Sequence, residues 1–411
     1  MASEITFVDS PATLANAANL NTLKSFQAKR ATHTVGSPNS LFATAGSFTY
    51  LQRFIVTLPV TTTQWRLKVA NQNALTGSAP GMNATVDTVY VGTPTYATNA
   101  GWVGNSAVLS QALTATAITV NASGADGTSA FVTASNLQFA AYQPLVISMA
   151  CTIGTGGTGI ITSDALAFTG IGVNADVGVA NPAISQGPFG FDVRVEYDAL
   201  TQVTTPVGFF VCASDGSYSP DGGGILPTQA WPHVSGLINC HPAIDSALGG
   251  ALTSDYTTTT NRPWTRFDLA TYPPDYGVIG ALISNDIAGM VGGDTATAPQ
   301  IATALATIKA NVSTILTNLA TFGCKRTFIC TVPPRGTFTA AGSWENLRGQ
   351  VNSWIRTLPR GIEAVLDIDR ALRNPAAFYQ IDPLLVSSDG IHFNQAGQQR
   401  VGREAMIASY K

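Results

Sequence analysis

From residue 69 to residue 193 the chain contains no Lys and no Arg, and its only acids there are Asp87, Asp126, Asp164, Asp176 and Asp192. A stretch of that length cannot cover itself with the charged helix faces of an ordinary globular domain. Its surface must instead be made of Thr, Ser, Asn and Gly, which favour strands and turns over helices. The apolar pattern agrees. Runs over residues 48–58, 65–69, 88–91, 117–120, 145–149 and 191–197 read as strands, separated by Gly, Asn, Pro and Ser. Short strands at this spacing predict an all-β, antiparallel sandwich of the jelly-roll kind over residues 46–200. Sheet edges without Lys are poorly protected, which predicts edges covered by partner chains and a homo-oligomer. Ahead of this domain, Leu14, Ala17, Ala18, Leu20, Leu23 and Phe26 have a loose helical spacing. They predict an N-terminal arm over residues 1–45 that carries a short helix.

The second half is built differently. Residues 1–200 carry 16 charged side chains and residues 201–411 carry 29, and helical periodicity arrives with them. Apolar runs at 207–213, 276–283, 326–332 and 364–368 alternate with helical patterns at 300–322 and 344–358. Strands alternating with helices predict a parallel sheet with helices on both faces, an α/β/α domain over residues 205–411. The whole is multidomain, as 411 residues lead one to expect. In such sheets ligands bind beyond the carboxyl ends of the strands, where this sequence places Ser214 to Ser217, Asn285, Asp389 and His392.

Composition excludes several partner classes. A net charge of −3 gives no basic footprint for nucleic acid, and no window is apolar enough for a membrane span. The N-terminus lacks a basic head followed by an apolar run, so no signal peptide is expected and synthesis in a cytoplasm is. Five cysteines at irregular spacing, without a CxxC pair, indicate neither a disulfide framework nor a zinc site. Asp215, Ser217, Ser219 and Asp221 superficially resemble a calcium loop, but the twelfth position is Leu226 rather than Glu. Gly222, Gly223 and Gly224 open no Lys-Ser/Thr helix and so make no phosphate loop.

The stretch Ser388-Asp389-Gly390-Ile391-His392-Phe393-Asn394-Gln395-Ala396-Gly397 carries the chemistry. An Asp three residues before a His, with Gly between them for a tight turn, lets the carboxylate reach imidazole Nδ1–H and leaves Nε2 outward as an oriented base. Asp389 as a helix cap is the plainer alternative.

This stretch is similar to the last block of the SGNH (GDSL-type) esterase and acetylhydrolase family, and Ala281-Leu282-Ile283-Ser284-Asn285-Asp286-Ile287 resembles the block whose Asn donates to the oxyanion. The resemblance covers about residues 205–411. It implies a Ser-His-Asp esterase, with His392 as base, Asp389 orienting it, and Asn285 with Gly249 or Gly250 at the oxyanion. It implies no metal and no organic cofactor. The first block departs from the family order: Ser214-Asp215-Gly216 stands where Gly-Asp-Ser is expected. Gly216 therefore takes the nucleophile's place, Ser217 follows as the candidate nucleophile, and Ser214 is the alternative. The charge-poor β region and the arm resemble bacteriophage virion proteins such as tail fibres, spikes or decorations. That resemblance implies a virion location, other virion proteins as partners, and an acylated polysaccharide or host surface glycan as substrate. The alternative is a non-catalytic structural or receptor-binding virion protein on the same fold.

Overall fold

The structure is a computed structural model. It describes residues 28–34, 40–43, 46–95, 107–113, 117–173, 177–178, 180, 185–200, 208–211, 213–214, 230–238, 242–292, 294–336 and 338–409. The helical spacing of residues 11–26 and the nucleophile segment with Ser217 lie outside the described residues.

The charge-poor half forms two antiparallel sheets. The smaller runs Ala28–Thr34, Asp192–Leu200, Thr62–Ala70, Gly127–Thr128 in spatial order. The larger is organised around Phe48–Thr57, Pro144–Ile153 and Ala84–Pro94, with Gly159–Ile171 and Ser185–Gly190 beyond one side and Ala107–Leu113 on the other. Period two makes this arrangement work. Trp65, Leu67 and Val69 alternate with Arg66 and Lys68, so the Thr62–Ala70 strand turns an apolar face to one side. That face shares a single buried core with Phe54, Val56, Val86, Val89, Ile147 and Met149 of the larger sheet.

Two stretches expected in a separate arm belong to these sheets. Ala28–Thr34 pairs with Asp192–Leu200, and Ser40–Ala43 pairs with Gly159–Ile171. The arm reading fails from residue 28 onward because both stretches can complete a ladder of otherwise unpaired backbone groups. The long strand Gly159–Ile171 also went unseen in the sequence, as its Gly, Thr, Ser and Asp break the apolar alternation.

The second half holds a five-stranded parallel sheet. Its strands are β1 (Gly208–Val211), β2 (Ala243–Asp245), β3 (Tyr276–Ile279), β4 (Arg326–Cys330) and β5 (Ala364–Leu366), in spatial order β2-β1-β3-β4-β5. The helices of eight residues or more among the described residues are α1 (Trp231–Ile238), α2 (Ile283–Met290), α3 (Ala298–Thr321), α4 (Ser343–Arg356) and α5 (Gln395–Ser409). Alternation along the strands separates two cores. Ile279 and Ile329 point to one layer with Ile287 of α2, Ile308 of α3 and Leu347 of α4. Tyr276, Val278, Phe328 and Cys330 point to the other, with Trp231 of α1 and Val401 of α5. Helix α3 starts where Thr297 and Gln300 form a capping box, and it buries Ile301, Ala304, Ile308, Val312, Ile315 and Leu319 at helical spacing. At Gly277 of β3 a Cβ would stand 2.7 Å from Leu319, so the glycine lets α3 approach the sheet closely.

Part of the polar face of the smaller β sheet is turned away from water. Its Asp192, wholly buried, accepts from Arg266 Nη2 at 2.6 Å and from Arg262 Nη2 at 3.2 Å, and both arginines belong to the α/β half. Arg194, beside it on the same strand, donates to the Arg266 carbonyl oxygen and pairs with Asp126. Arg30 holds Asp198 at 2.6 Å and donates to the Tyr272 hydroxyl at 3.0 Å. Ala74, from a loop of the β half, lies in the α/β core beside Trp264 and Ile244. The two halves are joined through a buried, charge-paired face.

Candidate functional site

The Asp389 turn is held from several sides. Gly390 takes φ +73°, a left-handed conformation that suits glycine and folds His392 back over Asp389. Asp389 Oδ1 accepts from the backbone N–H of Ile391 at 2.8 Å and of His392 at 3.0 Å, while Oδ2 is bonded to His392 Nδ1. Partial burial works against the ionised carboxyl, but the His392 and Ile391 N–H groups and the imidazole outweigh it and hold the pKa below its ordinary value. With Nδ1–H directed at the carboxylate, Nε2 keeps its lone pair. Among the described residues Nε2 has no hydrogen-bond partner.

Neighbouring groups fix where this turn sits. Ser387 N–H donates to the His392 carbonyl at 2.7 Å, and Gly336 N–H, in the loop leaving β4, donates to the Gly390 carbonyl at 3.1 Å. Phe393 is buried in the α1/α5 core. Asn394 caps α5 by accepting from Gly397 N–H at 3.0 Å and sends its amide to the Leu384 and Val386 carbonyls. At Gly397 a Cβ would overlap the Leu385 carbonyl oxygen, so only glycine lets α5 start this close.

The other candidates sit beyond the carboxyl ends of adjacent strands. Past β1, Ala213 and Ser214 pair in parallel with Leu248 and Gly249, which follow β2, with Ser214 opposite Gly249. The same Ala213–Ser214 strand lies against α2, which follows β3 and carries Asn285. Four neighbouring strands in the order β2-β1-β3-β4 thus bring Gly249, Ser214, Asn285 and the Asp389 turn to one edge of the sheet. Gly250 is exposed at φ +73° in the turn after Gly249. Of Ser214 the backbone alone is described.

Asn285 and Asp286 together secure α2. Asn285 Nδ2 donates to the Ala251 carbonyl at 3.1 Å, which leaves its second amide proton open. Asp286, buried, accepts from Thr253 N–H at 2.9 Å and Thr253 Oγ1 at 2.7 Å. Burial pushes its carboxyl up to about 6, against the pull of the Thr253 donors. A second acid, Asp245 at the end of β2, is pushed up to about 7 by burial and lies 3.8 Å from His233 Nε2. His233 is buried on α1. Among the described residues no three His, Cys, Asp or Glu side chains converge as they would to hold a metal ion.

No protein-family model matches the chain, and no curated protein matches its sequence. Solved structures do resemble it. A protein described as lipolytic, of the G-D-S-L family, from Desulfitobacterium hafniense is 14% identical over 49% of this chain and 98% of that one, with a TM-score of 0.38. A family-two carbohydrate esterase from Cellvibrio japonicus is 9% identical over 92% of this chain and 97% of its own, at 0.36. A carbohydrate esterase of family 2 with a carbohydrate-binding domain, from Corynascus thermopiles (Myceliophthora fergusii), is 12% identical over 92% and 97%, at 0.39. Likenesses of this size decide nothing about the site, whose geometry stands on its own.

Sequence reasoning missed three things here. Strand β2 is buried at all three positions and so shows no alternation. Helix α1 is short and begins Trp231-Pro232. Thr253, which anchors Asp286, had no motif to mark it.

Proposed function

We propose that the α/β half is an SGNH-type serine esterase acting on an acylated glycan. The observation that carries this reading is the Asp389–His392 pair, whose Nε2 is unengaged among the described residues and whose turn is latched to the loop leaving β4. In this reading Ser217, or else Ser214, attacks the acyl carbonyl while His392 Nε2 takes its proton. The same imidazolium returns the proton to the departing sugar oxygen, and water then releases the acid by the same route. Asn285 Nδ2, with a backbone N–H near Gly249 or Gly250, receives the oxyanion. Asp389 stabilises the imidazolium without taking its proton.

The virion setting belongs to the same proposal, with the β half, jelly-roll-like in kind, meeting other virion proteins or the glycan surface. A second reading is a non-catalytic virion component, favoured by Gly216 standing in the nucleophile's place. One experiment separates them. A fluorophosphonate should modify Ser217 or Ser214 in the intact protein, as read by peptide mass spectrometry, and His392→Ala should abolish the labelling. A folded protein that labels at no serine and hydrolyses no simple acetyl ester would leave only the non-catalytic reading.

A further inference from the structure

Leu248, Gly249, Gly250 and Ala251 form the turn that leaves β2 for the sheet edge. Ala251 N–H closes it on the Leu248 carbonyl at 3.2 Å, and Gly250 stands in it at φ +73°. Leu248 and Ala251 sink into the core on either side. A Cβ at Gly250 would meet nothing within 4 Å, so no packing fixes the glycine itself. Where its N–H points is decided by what holds the flanks of the turn.

Buried hydrogen bonds hold both flanks. On the entering side Ala247 N–H donates to Asp245 Oδ1 at 2.9 Å, and the Tyr256 hydroxyl donates to the Ser246 carbonyl at 2.6 Å. On the leaving side Asn285 Nδ2 donates to the Ala251 carbonyl at 3.1 Å. Two residues further on, Thr253 is gripped three times. Its N–H donates to Asp286 Oδ2 at 2.9 Å, its hydroxyl donates to Asp286 Oδ1 at 2.7 Å, and the hydroxyl accepts from Asn311 Nδ2 of α3 at 2.8 Å. Because Asn311 takes an acceptor place on the hydroxyl, the hydroxyl proton is directed at Asp286. Thr253 and Asp286 are both buried, and Ile283 and Ile287, on either side of Asp286 in α2, belong to the apolar core. An apolar side chain at position 286 would satisfy packing alone. A buried carboxyl costs desolvation, and what it supplies in return is direction.

We infer that Asp286, acting through Thr253, is a positioning residue for the oxyanion pocket. It ties the leaving side of the glycine turn to the first turn of α2 and so sets the Gly249–Gly250 backbone against the Asn285 amide. The inference rests on the esterase reading for the word oxyanion; the tie itself does not. One donor of that pocket belongs to the turn after β2 and the other to the helix after β3, two segments that could otherwise move separately. Asn285 and Asp286 are consecutive on α2, so the helix presents the amide and the anchor of its counterpart as one rigid piece. Oxyanion donors must stand about 2.7 to 3.1 Å from the developing charge, and a misplacement of about 1 Å can cost about 100-fold in rate.

The test uses the full-length chain with Thr253→Val, which keeps the shape and removes the hydroxyl, Asp286→Asn, and Thr253→Ser, which restores the hydroxyl. Hydrogen exchange read by mass spectrometry should be about tenfold faster over residues 247–253 in the first two, the scale of one hydrogen bond. It should be near the parent rate in Thr253→Ser, and unchanged over residues 386–394 in all three. Asn311→Ala, at a half-buried helix position, should shift exchange in the same direction and serves if either of the first two fails to fold. With p-nitrophenyl acetate, Thr253→Val and Asp286→Asn should lower kcat at least tenfold with KM unchanged. That loss should nearly vanish when Asn285 is already Ala, because the pocket is then already broken. A merely structural role would give losses of kcat that add to that of Asn285→Ala, and that result would overturn the inference. Unchanged exchange over residues 247–253 in the folded variants would overturn it as well. If the parent protein does not turn over the ester, the esterase reading fails, and the exchange result decides the tie by itself.

Discussion

Asp389 grips His392 twice: one carboxylate oxygen accepts the backbone N–H of His392 at 3.0 Å while the other holds its imidazole Nδ1. A carboxylate that binds both ends of one residue sets ring orientation and main-chain position together. The pair therefore responds to substitution as a unit. In Asp389→Asn the backbone N–H groups can still be accepted, but the imidazolium loses its counter-charge. Hydrolysis of a small acetyl ester should fall by about 10³- to 10⁴-fold with little change in KM.

The same carboxyl gives a pH signature. Its folded value lies below that of an unfolded Asp, so its contribution to stability is complete above about pH 4 and is lost as pH falls through the depressed folded value. Thermal melts of the protein and of Asp389→Asn should differ most near neutrality and converge toward pH 2. Curves that stay parallel down to pH 2 would contradict the depressed value.

Asp286 should behave in the opposite sense. Its folded value of about 6 exceeds the unfolded one, so the folded state holds the proton more tightly across the interval between them. Its contribution is complete below about pH 4 and is lost as pH rises through about 6. The stability of the protein minus that of Asp286→Asn should therefore decline across this window in urea titrations. A difference that rises with pH would mean that the Thr253 donors outweigh burial.

Gly390→Ala isolates the turn. The φ of +73° penalises any Cβ by about 1 to 2 kcal/mol, while the nearest atom, Gly336 Cα, stands 3.9 Å away and does not clash. The loss of stability in denaturant should stay within that range, yet ester turnover should drop more than stability alone explains, because the turn sets the Asp389–His392 bond.

Asn285→Ala should cost kcat about 100- to 1000-fold if its open amide proton meets the oxyanion. Alanine suits the helix, so melting should change little. A large melting loss with unchanged kcat would reassign Asn285 to holding Ala251.

The buried joint gives a further expectation. Removing one member of the Asp192–Arg266 pair breaks a fully buried charge pair, although Asp192 keeps Arg262 when Arg266 is lost. Asp192→Ala or Arg266→Ala should each lower stability by about 3 to 5 kcal/mol, with both halves unfolding in one transition. Two separate transitions in the unsubstituted protein would show that the joint does not couple them.

What the sequence disclosed was what repeats or turns locally. Asp389, Gly390 and His392 form their arrangement within four residues, so their spacing alone carried it. Helices α3 and α4 were legible because their one-sided burial writes a period into the chain, and strand β3, buried at all four positions, because it lies in a long apolar run. Strand β2, buried throughout, wrote none. The joint was hidden for another reason: Arg194 and Asp192 look like the outward residues of an alternating strand, and only the docking of Arg262 and Arg266 turns that face inward.

Lys68 and Arg194, the two cations that bound the long charge-free stretch, stand directly opposite each other in neighbouring strands. Glu196 relieves the crowding by pairing with Lys68 and Arg66, and Arg194 turns to the joint. The scarce charge of the β half is thus spent on the α/β half. A recombinant that moved either half onto another protein would carry an unmatched patch of buried ions with it, so the chain can be inherited or engineered as a whole far more readily than as two interchangeable cassettes.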